Sequence, residues 1–220
     1  MERIIRVTGK GKLAVKPDRI RLYITKESTY KEYESVLKNS TQDTQQLKDM
    51  FEKIGFERNE LKTLYFNIDT KYESYQDIKK TWKQRFVGYT YTHRMKIEFD
   101  ADNKRLGQVL YALAHCSLNP EFSIEYTVAD VEKCKNELLQ NVIKDSMQKA
   151  QVLAMAANVK LGEIQSIDYS WQELEFVTKP IREMSQARSL ELDDMDSYAM
   201  DIEADDIDVT DNVTVVWSIL

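Results

Sequence analysis

The sequence has little of the residues on which cross-linked, fibrous or metal-dependent proteins rely. Its 220 residues include two cysteines, two histidines, three prolines and six glycines. Two cysteines form at most one disulfide, and so few prolines and glycines exclude collagen-like and low-complexity chains. A chain of this length buries an adequate core without cross-links. We therefore expect it to fold unaided, with Cys116 and Cys134 reduced and packed as small apolar side chains.

The sequence also lacks a long apolar run. A membrane-spanning helix needs about 20 apolar residues in succession, and no stretch approaches this length, so we predict no membrane insertion. The opening residues, Met1-Glu-Arg-Ile-Ile-Arg-Val, read as a strand rather than a signal peptide. We expect a cytoplasmic protein. A periplasmic or exported protein whose signal peptide has been removed is the alternative.

Positive charge is absent from one long stretch. Residues 189–211 contain ten carboxylates and no Lys or Arg, so the net charge of −6 becomes +4 when these ten are left out. A nucleic-acid ligand would need a basic face beside this stretch, and we expect no nucleic-acid partner. The carboxylates are Glu191, Asp193, Asp194, Asp196, Asp201, Glu203, Asp205, Asp206, Asp208 and Asp211.

Apolar spacing predicts the secondary structure. Strands are expected where apolar residues alternate, most clearly over 87–99, and helices where they recur every three or four residues. The pattern gives the order ββαββαβαββ. Hairpins combined with helical crossovers predict an α+β fold with mixed, largely antiparallel sheets and helices packed on one side. We expect one domain over 1–220, or two closely packed halves of about 1–100 and 101–220.

Three local patterns carry more detailed expectations. Gly9-Lys10-Gly11 is a turn signal and predicts a hairpin turn. In the first helix, Leu37 and Leu47 share the predicted inner face. The long helix is predicted over about 131–158 and ended by Leu161-Gly162. Its predicted inner face comprises Cys134, Leu138, Val142, Met147, Ala150, Leu153, Ala154 and Ala157.

Two segments are candidates for contact with partners. The strands over 64–68 and 87–99 are predicted to form a long hairpin whose connector, 74–82, is solvated and basic. The segment 178–206 has no clear periodicity and is longer than an ordinary connection. We expect it to be a mobile acidic excursion or a partner-binding arm.

No catalytic or ligand motif stands out. The chain has no Gly-x-Ser-x-Gly, no phosphate-binding loop with Walker spacing and no EF-hand loop. His93 falls in the apolar alternation of a strand and is expected to be a hydrogen-bonded core residue. His115 and the cysteines have no zinc-site spacing. We predict no catalytic residue, no cofactor and no metal site.

A set of short patterns, in order along nearly the whole chain, resembles the SIMPL-domain family. The patterns are Ile5-Arg-Val-Thr-Gly-Lys-Gly, Pro17-Asp18, Gly55, Thr63 with Tyr72, Gly88-Tyr89, Leu106-Gly107, Lys149-Ala150, Leu153-Ala154, Leu161-Gly162 and the alternating last strand.

Three features depart from the family pattern. The export signal of many relatives is absent, and Ser117-Leu118-Asn119-Pro120 stands where the family has Gly-x-Asn. An acidic run over 201–208 replaces the usual Pro-Gly before the last strand. The resemblance implies an α+β fold and, in some members, ring-like or higher oligomers. It implies no established enzymatic activity and no cofactor, and it links some members to oxidative stress or the bacterial envelope.

These observations favour a non-enzymatic assembly or interaction protein, in which paired edge strands and the Ala-rich face of the long helix build a homo-oligomer, with an unidentified protein partner also open. The basic hairpin tip of one subunit is expected to receive the acidic segment of another. The alternative is a small-molecule binder or an enzyme of unrecognised type that uses Tyr65, Tyr72, Tyr89, Tyr91 and Trp82. The candidate interaction residues are Lys79, Lys80, Lys83, Arg85, Asp193, Asp194, Asp196, Asp201, Asp205 and Asp206.

Overall fold

The computed structural model of the chain describes residues 3–170, 174–178 and 203–220. The order of its elements, ββαββαβαββ, confirms the order and the α+β class predicted from the sequence. The elements are β1 (Ile4–Val15), β2 (Arg19–Tyr30), α1 (Tyr33–Lys53), β3 (Lys62–Gln76), β4 (Trp82–Asp100), α2 (Asn103–Ala114), β5 (Glu121–Thr127), α3 (Val131–Ala156), β6 (Leu161–Asp168) and β7 (Ile207–Ile219).

By their contacts, the described residues divide into two compact units that are interleaved along the chain. The first unit contains β1, α3, β6 and β7, and the second contains β2, α1, β3, β4 and α2 with most of β5. The predicted alternatives of one domain or two halves that meet near residue 100 stay predictions.

The first unit is a three-stranded sheet in the order β1-β7-β6, with α3 against β1 and β7. Both strand pairs are antiparallel. Alternate residues of β7, such as Val213 and Val215, point into a core that also holds Val7 and Val142. The predicted alternation of the last strand is thereby confirmed.

The predicted hairpin turn at Gly9-Lys10-Gly11 is wrong, because β1 runs unbroken through it. A Cβ atom on Gly9 would lie 2.2 Å from the carbonyl oxygen of Val142, and one on Gly11 would lie 2.5 Å from its Cγ2 atom. The glycines therefore let α3 approach the backbone of β1 closely. Turns and close approaches both require glycine, and the sequence alone did not distinguish them.

The end of α3 also differs from the prediction. The helix stops at Ala156 and is followed by Asn158 with a φ of 55°, whereas Leu161 and Gly162 open β6. A Cβ atom on Gly162 would lie 2.3 Å from Ser218 Oγ, so this glycine serves strand packing.

The inner face of α3 was predicted correctly in part. Ala150 and Ala154 are buried within their own unit, and Ser146 is buried where Met147 was predicted. Met147 and Leu153 are about half exposed. Ala150 and Ala154 are thus covered by their own unit, whereas Ala157, which was also predicted for this face, is exposed.

The second unit is a four-stranded sheet in the order β3-β4-β2-β5. β4 lies between β2 and β3 and pairs antiparallel with both. α1 packs on β2 and β4, and α2 lies beside α1. Leu47 of α1 is fully buried as predicted, whereas Leu37 is exposed and its neighbour Val36 is buried instead. The predicted inner residues of α2, such as Leu106 and Leu110, are buried.

Candidate interaction surface

The β3–β4 hairpin extends well beyond the rest of its sheet. The last residue pair between β2 and β4 is Tyr30 with Tyr89, whereas β3 and β4 stay paired as far as Gln76 with Trp82. We call the two-stranded part over residues 71–87 the ribbon. Every described residue of the ribbon except Asp77 and Val87 is exposed. The ribbon therefore presents both faces to the surroundings, and the connector over 74–82 is exposed as predicted, apart from Asp77.

A tight loop closes the ribbon. The carboxylate of Asp77 accepts hydrogen bonds from the backbone N–H groups of Lys79 and Thr81, at 2.9 and 3.0 Å. Lys80 adopts a φ of 59°. Asp77 also forms an ion pair with Lys83 at 2.8 Å, and this contact together with the backbone N–H donors lowers the pKa of Asp77. The loop is thus fixed by its own carboxylate.

The four predicted basic residues do not act as one cluster. Lys83 is neutralised by Asp77, and Arg85 donates from Nε and Nη2 to the same carboxylate oxygen of Glu73, at 3.1 and 2.7 Å. Lys79 and Lys80 lie at the exposed tip. The charge that the tip offers to a partner therefore comes mainly from these two lysines.

One face of the ribbon is aromatic. Tyr72 and Phe86 are opposite each other with ring centroids 5.8 Å apart, and Phe86 contacts Tyr89 at 5.3 Å. Tyr89 in turn meets Tyr33 at the start of α1, at 5.5 Å. Trp82 lies further along the same face and is 69% exposed. These rings form a row that runs from the start of α1 toward the tip.

The sequence had indicated only part of this row. Tyr72, Tyr89 and Trp82 were among the aromatic residues predicted for a ligand site, whereas Phe86 and Ile78 were missed. The side chain of Ile78 at the tip is fully exposed. The sequence did not show that β2 ends before these residues of β4, because the alternation of β4 continues unchanged beyond that point.

The inner part of the hairpin has a structural role. His93 Nε2 lies 2.9 Å from Thr63 Oγ1, and its Nδ1 lies 3.1 Å from Thr44 Oγ1 of α1. Burial, with a smaller contribution from the charge of Lys48, lowers the pKa of His93. The predicted hydrogen-bonded core role of His93 is confirmed.

Tyr91 lies two residues before His93 on β4 and is buried. Its hydroxyl donates a short hydrogen bond to the Asp43 carboxylate of α1. Burial and that carboxylate raise the pKa of Tyr91. Its hydroxyl is therefore committed to holding α1 on the sheet, which removes it from the predicted ligand-binding set.

Only the end of the acidic stretch can be located. Asp205 and Asp206 are exposed, as are Glu203 and Asp208 on either side of them. The predicted interaction residues Asp193, Asp194, Asp196 and Asp201 lie outside the described residues, as does most of the predicted excursion over 178–206.

A cleft of about 590 Å³ lies between α1 and the end of α2. Its lining includes Gln42, Gln45 and Asp49 of α1 with His115 and Cys116 after α2. None of the aromatic residues predicted for a ligand site lines it. Across residues 3–170, 174–178 and 203–220, no three His, Cys, Asp or Glu side chains are grouped as metal ligands. The expectation of no metal concerns the whole chain and stays a prediction.

In the part of the chain that the structure describes, no helix combines the length and apolar character needed to cross a membrane.

Family membership follows from comparison with known proteins. A search of curated proteins gave no match. The SIMPL family, described as a protein of unknown function (DUF541), matches residues 5–217. Nearly the whole chain is covered, as the short patterns in the sequence predicted, and this protein belongs to the SIMPL family.

Proposed function

We propose that this protein is a non-enzymatic interaction protein that assembles with further copies of itself through the β3–β4 hairpin. The observation that carries the proposal is the ribbon, which exposes Tyr72, Trp82 and Phe86 on one face. Monomeric proteins rarely leave a continuous aromatic surface uncovered, because burying apolar area is favourable. A second copy would cover this surface.

Charge supports the choice of partner. The tip carries Lys79 and Lys80, and the stretch 189–211 carries ten carboxylates and no cation. Contacts between opposite charges on the surface mainly accelerate and orient association. At physiological ionic strength they are screened beyond about 8 Å, so assembly should weaken as salt is raised.

The solution mass, measured by light scattering at low and high salt, tests this proposal. We expect the intact chain to exceed the mass of a monomer and to dissociate in part at high salt. A chain that lacks 189–206, and a variant with Lys79→Gln and Lys80→Gln, should associate less. Lys144→Gln with Lys160→Gln, which removes two exposed lysines elsewhere, is the matched control. A monomeric mass at every salt and protein concentration would refute the proposal.

A small-molecule binder is the second candidate, and the cleft between α1 and α2 is the observation that favours it. The cleft is lined by the side-chain amide of Gln42 and by Gln45, whose amide donates to Asp49 at 3.2 Å. A metabolite present at 100 times its Kd would stabilise the fold by about 2.7 kcal/mol. A thermal-shift screen that finds such a metabolite, and loses the shift with Gln42→Ala, would favour this candidate over assembly.

A further inference from the structure

β3 is the edge strand of its sheet, and its outer edge is long. Among the described residues β3 has one strand neighbour, β4. No residue of β3 is buried, and Tyr65, Phe66 and Tyr72 each expose about half of their surface. An edge of this kind presents unpaired backbone N–H and C=O groups and pairs readily with another strand.

Two of the usual protections of an edge, a proline and a bulge on the edge strand, are absent from residues 65–76, which do carry the charged side chains of Asp69, Lys71 and Glu73. This part of β3 contains no proline, and the irregularity beside Tyr72 places its extra residue, Val87, on β4. β3 itself therefore keeps a regular alternation over this range, and the bulge that precedes it lies at Leu64. A second regular strand can be added along the whole of it.

We infer that β3 of one copy pairs antiparallel with β3 of a second copy, about a two-fold axis at Thr70. This inference rests on the proposed function, since the partner is another copy of the chain, and it names the surface and the register. With the axis at Thr70, Lys71 of each copy is opposite Asp69 of the other. Two pairs of opposite charges then flank the axis, an arrangement that stabilises antiparallel strands.

Neighbouring registers are less favourable because of the charges that they place opposite each other. Moving the axis by one residue places Lys71 opposite Lys71 of the other copy, or Asp69 opposite Asp69, and like charges directly opposite destabilise a strand pair. Moving it by half a residue leaves both charges opposite uncharged residues. An axis at Tyr72 pairs Lys71 with Glu73, but Arg85 already holds Glu73, and the strand ends at Gln76. The register at Thr70 also uses more of the edge.

The aromatic residues agree with the same register. Tyr65 of one copy is opposite Tyr75 of the other, and within one copy the guanidinium groups of Arg94 and Arg85 lie 5.8 and 5.9 Å from the ring centres of Tyr65 and Tyr75. Each tyrosine–arginine pair thus meets its counterpart across the axis. On the opposite face, Ile68 meets Tyr72. On each face, the pairing therefore places an exposed aromatic side chain of β3 next to a side chain of the other copy.

Cysteine cross-linking tests the register. Directly opposite residues of antiparallel strands have Cα atoms about 4.5–5.5 Å apart, within reach of a disulfide. Thr70→Cys should therefore give a covalent dimer on mild oxidation, while the native Cys116 and Cys134 are buried. Ser74→Cys, exposed on the same face, is the matched control, because the two Ser74 positions would lie about 27 Å apart. If Tyr72→Cys or Ser74→Cys forms the dimer instead of Thr70→Cys, the register is wrong.

Charge exchange tests the surface. Lys71→Asp and Asp69→Lys each place like charges opposite each other twice, and each should raise the dimer Kd by about tenfold or more. The double variant restores opposite charges and should recover the original Kd. Association that is unchanged in the single variants would overturn the inference and leave the proposed function standing. A wild-type monomer at every concentration would overturn both.

Discussion

The inner and outer parts of β4 carry the same alternating pattern and meet different surroundings. From Tyr91 to Phe99 the alternate side chains are buried beneath α1, with Ile97 fully buried. From Trp82 to Phe86 the alternate side chains are exposed. The inner part has β2 on one side and β3 on the other, and the outer part has β3 alone. The comparison teaches that alternation fixes which side chains share a face, while neighbouring elements decide whether that face is covered.

The largest expected effect is a difference in stability between variants of the inner part of β4 and variants of its outer part. Ile97→Ala should lower the free energy of unfolding by about 2–5 kcal/mol, because it removes buried methylene groups and leaves a cavity. Trp82→Ala on the ribbon should change it by no more than about 0.5 kcal/mol. Urea unfolding of both variants measures the difference. Equal losses would mean that the ribbon belongs to the stabilising core.

A smaller effect is expected at the junction between the two parts. Gly88 has a φ of 155°, and a Cβ atom there would lie 2.2 Å from the carbonyl oxygen of Tyr30, the last residue of β2. Gly88→Ala should therefore cost about 1–3 kcal/mol, as expected for a strained backbone position. Gln84→Ala, exposed on the ribbon, is the control. Urea unfolding in which the two variants are equally stable would show that the junction accommodates a side chain.

The smallest effect is expected from the titration of His93, since a single group is involved. Burial lowers the pKa of His93 in the folded chain, so below the ordinary value of about 6.5 the unfolded chain binds the proton more readily. The stability contribution of neutral His93 is complete above that pH and is lost as the pH falls toward the lowered pKa. Unfolding free energies measured between about pH 5 and pH 8 should therefore decline toward the acid end.

A variant isolates this contribution. His93→Gln should reduce the slope of stability against pH in that range, whereas His115→Gln, at the exposed end of α2, should leave most of it. A slope that is the same in His93→Gln and the wild type would assign the acid sensitivity to other groups.

The candidate site could be predicted from the sequence only in outline. Lys79, Lys80, Lys83 and Arg85 were found because a charged connector between two alternating strands indicates an exposed tip. The pairing of Lys83 with Asp77 and of Arg85 with Glu73 depends on the cross-strand register, which the bulge at Val87 sets. Paired edge strands were expected from the sequence, but β3 was not named as the edge, because its apolar residues look the same in sequence as those of a covered strand.

The sequence by itself determined the number and order of the elements, the α+β class and the family, since all depend on local periodicity and short motifs. Only the tertiary structure decided that Gly9 and Gly11 let α3 approach a strand rather than turn the chain. The tertiary structure likewise decided which alanines of α3 are buried and where β2 ends along β4. The physical reason is that burial and close approach belong to pairs of elements distant in sequence, whereas the alternation of side chains belongs to each strand alone.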